Sequence, residues 1–387
     1  MKTKSCALCL EKITDKNNSK EHIIPNSIGG RSYVRGFICR SCNSQVGENW
    51  DAELAVQFNW LSLIVGIKRQ SGRGQPPSQP IETVNGTQLL LHADGNMTQK
   101  HFVYNEVKNE NQIQITIQAR TIKEAKDAIK NIAKKYPKLD KDKTLHEAKV
   151  TQRPLDSPIK MDLVFGGPLF GRSLVKTAFA FSSKVNISHE LCDKAVNYLK
   201  NLVDESKAPY GFFYLRDLVR NRPANKLFHC VAVLGNPQKR RLIAYVEYFG
   251  LARFVINLSS DYSGETIESI YAIDPTTGLQ IDINVDLDLT DTELQLVLDD
   301  DARPNDGYLK AVNYALSIAI GLSFERHKDK AIEEAIIYAF ESLGVKPGES
   351  VKPEDAYKFS QLFIEKFMPF LLENRNIIQN YTGIKDQ

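Results

Sequence analysis

The stretch EHIIPNSIGG, residues 21–30, decides how the N-terminal part of this chain is interpreted, because it lies between two pairs of cysteines. The first pair is in CALC, residues 6–9, and the second is in CRSCN, residues 39–43. Two Cys-x-x-Cys pairs supply four soft sulfur ligands, which is the number that a tetrahedral zinc ion takes. The candidate zinc ligands are Cys6, Cys9, Cys39 and Cys42. The sequence therefore predicts a zinc site that encloses a Glu-His dipeptide.

The positive charge of the chain is concentrated around these cysteines. Residues 1–75 contain 11 Lys and Arg against 6 Asp and Glu, whereas the remaining residues contain 39 against 41. The formal net charge of +3 therefore conceals a basic N-terminal segment. A segment of this kind favours a polyanionic partner such as nucleic acid.

The length of 387 residues exceeds what one hydrophobic core usually serves, so two or three domains are expected. No apolar run approaches the ~20 residues that span a bilayer, and the start of the chain lacks the apolar core of a signal peptide. Composition thus argues against a membrane protein and favours a cytoplasmic one. In such a reducing compartment, paired cysteines more often hold a metal than form a disulfide.

Shifts in composition predict four segments. Residues 1–68 form the zinc module, and residues 69–80 (RQSGRGQPPSQP) are typical of a linker because they are rich in Gly, Pro, Ser and Gln. Residues 81–150 form a small α+β segment. Residues 151–387 form a larger α+β region, so the fold class of the whole chain is α+β.

The small segment contains a strand pattern, QIQITIQA (residues 112–119), followed by a basic amphipathic helix over residues 121–136. Lys126, Lys130 and Lys134 lie on the polar face of that helix. Such a face is most often simply solvated, and the alternative is that it follows the phosphates of a nucleic acid.

The large region mixes strand and helix patterns. LFHCVAVLG, RLIAYVEYF, ARFVINLS and SIYAIDPTTGLQIDINVDL are typical of successive strands, with DPTTG as a turn. KAVNYALSIAIGLSF, DKAIEEAIIYAFESLG and YKFSQLFIEKFMPFLLE are typical of amphipathic helices. His229 and Cys230 lie in the first strand and are expected to be core residues.

The acidic run from Asp282 to Asp301 is either a solvated face or a surface that docks on the basic zinc module.

EHIIP between the cysteine pairs and CRSCN at the second pair resemble the HNH endonucleases, over about residues 6–55. The resemblance implies a ββα-metal fold in which a zinc knuckle holds two strands and a helix around one catalytic divalent ion, Mg²⁺ or Mn²⁺. It implies that His22 is the general base, that Glu21 is an acidic ligand of the divalent ion and that Asn43 completes this metal site. It also implies DNA as the substrate.

The wider pattern EHIIPNSIGG…ICRSCNSQVG…DAELA is similar to single-chain bacterial HNH nucleases, many of them tied to defence against foreign DNA. The resemblance therefore implies an anti-phage effector, with a partner protein of a defence system as an expected binding partner.

The chemistry of these residue types agrees with such roles. A neutral imidazole with a pKa near 6.5 can accept a proton from water at physiological pH, and Mg²⁺ prefers oxygen ligands such as a carboxylate and an amide. Arg31, Arg35 and Arg40 lie close to the motif in sequence and are candidates for phosphate contacts.

One feature departs from the family pattern. Many members carry an Asn shortly before the second cysteine pair that orients the loop, whereas SYVRGFIC (residues 32–39) contains none. We expect Asn26 or backbone groups to hold the loop instead. Pro25 is expected to end the first strand, because it has no N–H group to donate.

Three classes of function remain open at this point. The favoured one is a metal-dependent endonuclease, a nickase or a double-strand cutter, that acts on DNA or, as an alternative, on RNA. The second is a zinc module that binds nucleic acid without cleaving it. The third is a nuclease that the C-terminal region gates in response to a nucleotide or a protein signal.

Overall fold

The computed structural model describes residues 5–70, 75–110, 112–147, 155, 157–346 and 348–374. The α+β class is confirmed, with a strand–strand–helix unit at the N-terminus and a larger mixed region after it. Of the expected linker, residues 71–74 lie outside the described residues. Across the described ranges, none of the helices combines the length and apolarity that a bilayer-spanning segment needs.

In the described residues the strands are β1 (Asn18–His22), β2 (Tyr33–Cys39), β3 (Gln79–Thr83), β4 (Gln88–Leu91), β5 (Met97–Gln99), β6 (Val103–Lys108), β7 (Ile113–Gln118), β8 (Ile159–Lys160), β9 (Tyr210–Phe212), β10 (His229–Asn236), β11 (Arg241–Tyr248), β12 (Ala252–Ser259) and β13 (Ile267–Ile273). The helices are α1 (Arg40–Gln57), α2 (Asn59–Val65), α3 (Ile122–Lys135), α4 (Lys141–Glu147), α5 (Pro168–Lys184), α6 (Asp193–Leu199), α7 (Asp291–Leu298), α8 (Asn305–Ser342) and α9 (Ala356–Glu373).

The chain forms two compact units. The first unit combines Met1–Pro77 with Leu163–Ala319, and the second combines Ser78–Asp162 with Ile320–Gln387. The domain boundaries predicted at residues 68, 80 and 150 stay predictions. The first unit contains both the zinc module and a large part of the C-terminal region.

The zinc module is a β-hairpin followed by a helix. Strands β1 and β2 pair antiparallel, with Glu21 opposite Val34 and His22 opposite Tyr33. Helix α1 begins directly after β2, with Cys39 at its N-cap. Side chains alternate between the two faces of a strand, and here Glu21 is buried while Lys20 is exposed. The hairpin therefore has one face toward the core and one face toward solvent.

Helix α5 lies at the centre of the first unit, and most of its side chains are buried. Helix α5 packs against β2, where Phe179 of α5 contacts Phe37 edge to face with ring centroids 5.0 Å apart. Helix α5 also packs against β12, where the ring centroids of Phe170 and Phe254 are 5.6 Å apart. The zinc module and the sheet of the C-terminal region therefore share one hydrophobic core.

That sheet is antiparallel, with strand order β13-β10-β11-β12-β9. Strands β10 to β13 confirm the four strand patterns of the region up to the DPTTG turn. The expected continuation after the DPTTG turn is wrong: residues 280–289 form only isolated bridges, Ile273 with Gln280 and Val219 with Val285. The turn itself is present, because the Asp274 carboxylate accepts the Thr276 N–H at 2.8 Å.

Two helices predicted near the C-terminus are one continuous helix, α8. The residues between the two patterns, ERHK (325–328), contain no Gly or Pro that would interrupt a helix. The separation into two helices was therefore wrong, since an uninterrupted polar stretch continues the same hydrogen-bond ladder.

The acidic run has partners within its own region. Asp288 pairs with Lys239 at 2.7 Å, and Glu293 pairs with Arg216 at 2.9 Å. Asp286 also contacts Arg216, at 3.3 Å. These pairs make the run a local charged surface, and they give no support to docking on the zinc module.

The second unit contains a four-stranded sheet of order β5-β4-β3-β8, the hairpin β6-β7, and helices α3, α4 and α9. The predicted amphipathic helix is confirmed as α3: Thr121 caps it by accepting the Glu124 N–H, and Ile129 and Ile132 are buried. Lys126 and Lys130 are exposed, which agrees with a solvated face.

Candidate functional site

The four predicted zinc ligands come together. The sulfur atoms of Cys6, Cys9, Cys39 and Cys42 all lie within 4.8 Å of one another. The Sγ atoms of Cys9 and Cys39 are 3.7 Å apart. Four sulfurs at ~2.3 Å from a tetrahedral zinc ion would be about 3.8 Å from each other, so the arrangement fits zinc. Among the described residues, this is the cluster of His, Cys, Asp or Glu side chains arranged to hold an ion.

The backbone around the cluster favours a thiolate at Cys6. The Cys39 N–H donates to the Cys6 sulfur at 3.3 Å. Burial raises the pKa of the Cys6 thiol, but the backbone N–H groups of Cys9 and Cys39 outweigh it and hold this pKa at about 7. In contrast, burial and the neighbouring Cys39 raise the pKa of Cys42. One thiol is thus prepared for metal, and the positive ion would supply the charge that the others need.

The turn after β1 depends on Pro25 and two glycines. Strand β1 ends at His22, and the Pro25 carbonyl accepts the Gly30 N–H at 3.1 Å. A Cβ on Gly30 would lie 1.8 Å from the Ile24 carbonyl oxygen, and Gly29 has φ +100°, which favours glycine. Strand β1 therefore ends three residues before Pro25, which was expected to end it, and Gly30 is required by a close backbone approach.

Other groups hold the loop for which the family asparagine is missing. The Asn18 side chain accepts the Gly36 N–H at 2.9 Å, and the Ser19 hydroxyl donates to the Ile38 carbonyl at 2.7 Å. The expected alternatives were Asn26 or backbone groups: Asn26 accepts the Gln70 N–H at 2.9 Å, and the backbone of β2 takes part in both of the bonds from β1. The hairpin is therefore held by residues on β1 that the sequence did not single out.

His22 lies at the end of β1 and is partly exposed. Its Nε2 is 3.4 Å from the Gln70 Oε1 atom, so Nε2–H is the donor and Nδ1 is left as the acceptor nitrogen. Burial lowers the pKa of His22, and the imidazole is therefore neutral at physiological pH. On the same face, the Lys20 ammonium lies over the Tyr33 ring, 4.8 Å from its centroid.

Glu21 points to the opposite face and is only 3% exposed. Its Oε1 atom accepts a hydrogen bond from the Nζ of Lys176 on α5, and Lys176 also donates to Asp51 of α1 at 2.7 Å. The Ser173 hydroxyl donates to the second oxygen of Asp51 at 2.6 Å. Burial raises the pKa of Glu21 to about 7, against the attraction of Lys176.

Lys176 and Asp51 are not among the site residues predicted from the sequence. Lys176 has no exposed surface. Burial alone would lower its pKa, but Asp51 and Glu21 raise it above the ordinary value, so the ammonium stays charged. The sequence does contain a signal for a buried ion pair, because Lys176 is the single charged residue in the apolar stretch SLVKTAFAF (173–181). A lysine in such a place needs a carboxylate partner.

The remaining site residues lie on or near the hairpin. The Asn43 side-chain NH₂ donates to the Lys20 carbonyl at 3.1 Å, which brings the amide against the strand that carries Glu21 and His22. The Arg31 guanidinium donates to the Lys68 carbonyl at 2.7 Å. The side chains of two further predicted phosphate contacts, Arg35 and Arg40, are exposed.

Residues 6–59 match the family model described as HNH endonuclease. No curated protein and no solved structure matches the chain significantly. The match covers the hairpin, all four cysteines and α1, and it supports a nuclease-type function with nucleic acid as the partner. The N-terminal segment of this chain, with its four-cysteine cluster and strand–strand–helix order, is therefore similar to the HNH endonucleases.

Proposed function

We propose that this protein is a metal-dependent endonuclease that hydrolyses phosphodiester bonds of DNA. The observation that carries the proposal is the geometry of the hairpin within residues 6–59: a four-cysteine cluster holds the end of β2 and the start of α1, β1 pairs with β2, and β1 presents a neutral, partly exposed His22 at its end. The similarity of EHIIPNSIGG to nucleases of bacterial defence adds an anti-phage role to the proposal, in a reducing compartment such as the cytoplasm.

His22 is the proposed general base. Its Nε2–H faces Gln70, so the free lone pair is on Nδ1, and this nitrogen takes the proton of the attacking water. The neutral form that base catalysis needs is the form that burial favours. The neighbouring Lys20 and the exposed Arg35 and Arg40 attract phosphate groups to this face of the hairpin.

Glu21 and Asn43 are the proposed ligands of a catalytic Mg²⁺ or Mn²⁺ ion. Asn43 is fixed through its NH₂ group, so that the amide oxygen is the atom to bind a hard cation. Glu21 supplies a carboxylate, of which one oxygen already accepts from Lys176. When bound, a divalent ion would offset the charge that develops on the phosphate oxygens during hydrolysis.

The burial of Glu21 favours a second candidate function, a zinc module that binds nucleic acid without cleaving it. A carboxylate that is 3% exposed and ion-paired has less freedom to take a metal ion than an exposed one. This module would keep the basic surface around Lys20 and would need neither His22 nor a second metal. Gating of a nuclease by the C-terminal region stays a prediction.

A plasmid-cleavage assay separates the two candidates. Purified full-length protein with added Mg²⁺ or Mn²⁺ is expected to nick or linearise DNA, and the His22→Ala variant is expected to be about 10² to 10⁴-fold slower, since a positioned base contributes that much. His189→Ala, which changes a histidine far from the motif in sequence, is the matched control and should cleave like the wild type.

Equal cleavage by the wild type and His22→Ala would contradict the catalytic assignment. DNA binding without cleavage by any variant, measured as a gel-mobility shift in the same buffers, would establish the binding module instead. An RNA substrate of the same sequence, run in parallel, tests the choice of DNA.

A further inference from the structure

Lys176 lies at the meeting point of three elements. It belongs to α5, and it contacts Glu21 on β1 and Asp51 on α1. It is 155 positions from Glu21 and outside the segment that matches the nuclease family. A side chain from the C-terminal region therefore reaches the proposed metal ligand of the N-terminal hairpin.

A fully buried ammonium persists only when it is paired, because transfer of an isolated charge from water into a protein interior is costly. Lys176 is paired twice, and Asp51 is fixed in turn by Ser173, which lies one turn earlier on α5. The Lys176 ammonium and both oxygens of the Asp51 carboxylate are thus held by hydrogen bonds between helices of the core. The cluster is therefore rigid, and it sets the position of the Glu21 carboxylate.

We infer that Lys176 is a positioning residue of the nuclease site: it holds Glu21 through Oε1 and keeps the other carboxylate oxygen available for a divalent ion. The inference rests on the proposed function. Groups that orient a metal ligand typically change metal affinity or activity by about 10 to 100-fold when they are removed. Lys176 does for Glu21 what such a group does, since its hydrogen bond removes the rotational freedom of the carboxylate.

An alternative role of Lys176 predicts the opposite change in metal affinity. If the ammonium competed with the metal for Glu21, its removal would free the carboxylate and strengthen metal binding. The direction of the change in metal affinity therefore distinguishes a residue that positions the ligand from an internal cation that blocks it.

The test measures Mn²⁺ binding by electron paramagnetic resonance on full-length protein that retains its zinc. Lys176→Met is expected to weaken binding by about 10 to 100-fold. Lys184→Met, at an exposed lysine of the same helix, is the matched control, and its affinity should stay within about threefold of the wild type. Glu21→Gln should remove the binding. Unchanged or tighter binding by Lys176→Met overturns the inference.

Lys176→Met leaves two buried carboxylates without a partner, so this variant risks misfolding. The double variant Lys176→Met with Asp51→Asn removes one charge of each sign and is the second measurement, with the same weakening expected. Circular dichroism and zinc content report folding. If neither variant folds, Lys176 is a purely structural residue and the inference is wrong.

The proposed function and the inference fail in different ways. If wild-type protein shows no Mn²⁺ binding that depends on Glu21, the proposed metal site is wrong and the inference falls with it. If wild-type binding depends on Glu21 but does not change in Lys176→Met, the metal site stands and only the role of Lys176 is wrong.

Discussion

The imidazole of His229 connects strand β10 to the turn that follows EHIIP. Its Nε2–H donates to the Ile28 carbonyl at 2.8 Å, while its Nδ1 accepts the Phe249 N–H at 3.0 Å. The ring has no exposed surface, and burial lowers its pKa to about 4. The neutral ring uses both nitrogens, and a protonated ring would lose the bond from Phe249.

This histidine predicts a loss of stability in mild acid. Between pH 6.5 and 4 the unfolded chain binds a proton at His229 that the folded chain does not bind, so the free energy of unfolding falls as the pH falls. The loss from this residue is about 3 kcal/mol at pH 4. Urea unfolding of wild type and His229→Gln should show a smaller pH-dependent loss in the variant.

His189→Gln is the control for this measurement, since it changes a partly exposed histidine of the same unit and should keep the wild-type pH dependence. If His229→Gln lost stability with pH as steeply as the wild type, the buried neutral state of His229 would be wrong.

Two glycines of the zinc module predict opposite effects of alanine. Gly30→Ala places a Cβ 1.8 Å from the Ile24 carbonyl oxygen, so the backbone has to shift, at a cost on the order of 3 kcal/mol. Gly47→Ala, within α1, meets no atom within 4 Å and should stabilise the protein by about 0.5 to 1 kcal/mol. Chemical unfolding of both variants checks the pair, and a Gly30→Ala variant as stable as wild type would contradict the tight turn.

The four-cysteine cluster predicts one zinc ion per chain. Cys39→Ser removes a ligand and the sulfur that lies 3.7 Å from Cys9, and we expect loss of zinc and local unfolding of the hairpin, because small metal sites take much of their folding free energy from the ion. Elemental analysis and limited proteolysis report the two effects. Cys192→Ser, at a buried cysteine outside the cluster, should keep its zinc. Wild-type protein that folds and cleaves DNA without zinc would rule the site out.

The shared core predicts that the zinc module does not fold alone. Residues 1–77 expressed without the rest of the chain would expose Phe37 and Phe58, whose rings pack on Phe179 and Phe170 of α5. We expect broad, non-cooperative unfolding and strong binding of an apolar dye. If the C-terminal region instead gates the nuclease by restraining it, the fragment should be stable and should cut DNA faster than the full chain. A cleavage assay of the purified fragment separates the two outcomes.

The sequence predicted the local parts of the site because local patterns encode them. The spacing of the cysteines predicted the cluster of four sulfurs, and the apolar spacing of residues 121–136 predicted α3. Each of these depends on neighbours within one turn or one hairpin. The same locality explains why α8 was divided wrongly, since two apolar patterns with a polar stretch between them look alike whether or not the helix continues.

The long-range parts could not be predicted. Lys176 approaches Glu21, and His229 approaches Ile28, only because α5 and β10 pack against the hairpin in the folded chain. A single sequence shows a lone lysine in an apolar helix and a histidine in an apolar strand, but it does not show which element each one meets. The roles of both residues follow from tertiary packing, which no periodicity reveals.

The position of Lys176 also sets an order of events during synthesis. Glu21 leaves the ribosome 155 residues before the lysine that neutralises it. At roughly 5 to 20 residues per second, the nascent hairpin exists for about 8 to 30 s without the helix that completes its core. During that interval the carboxylate has no buried partner, so the proposed nuclease site is assembled only after almost half of the chain has been made.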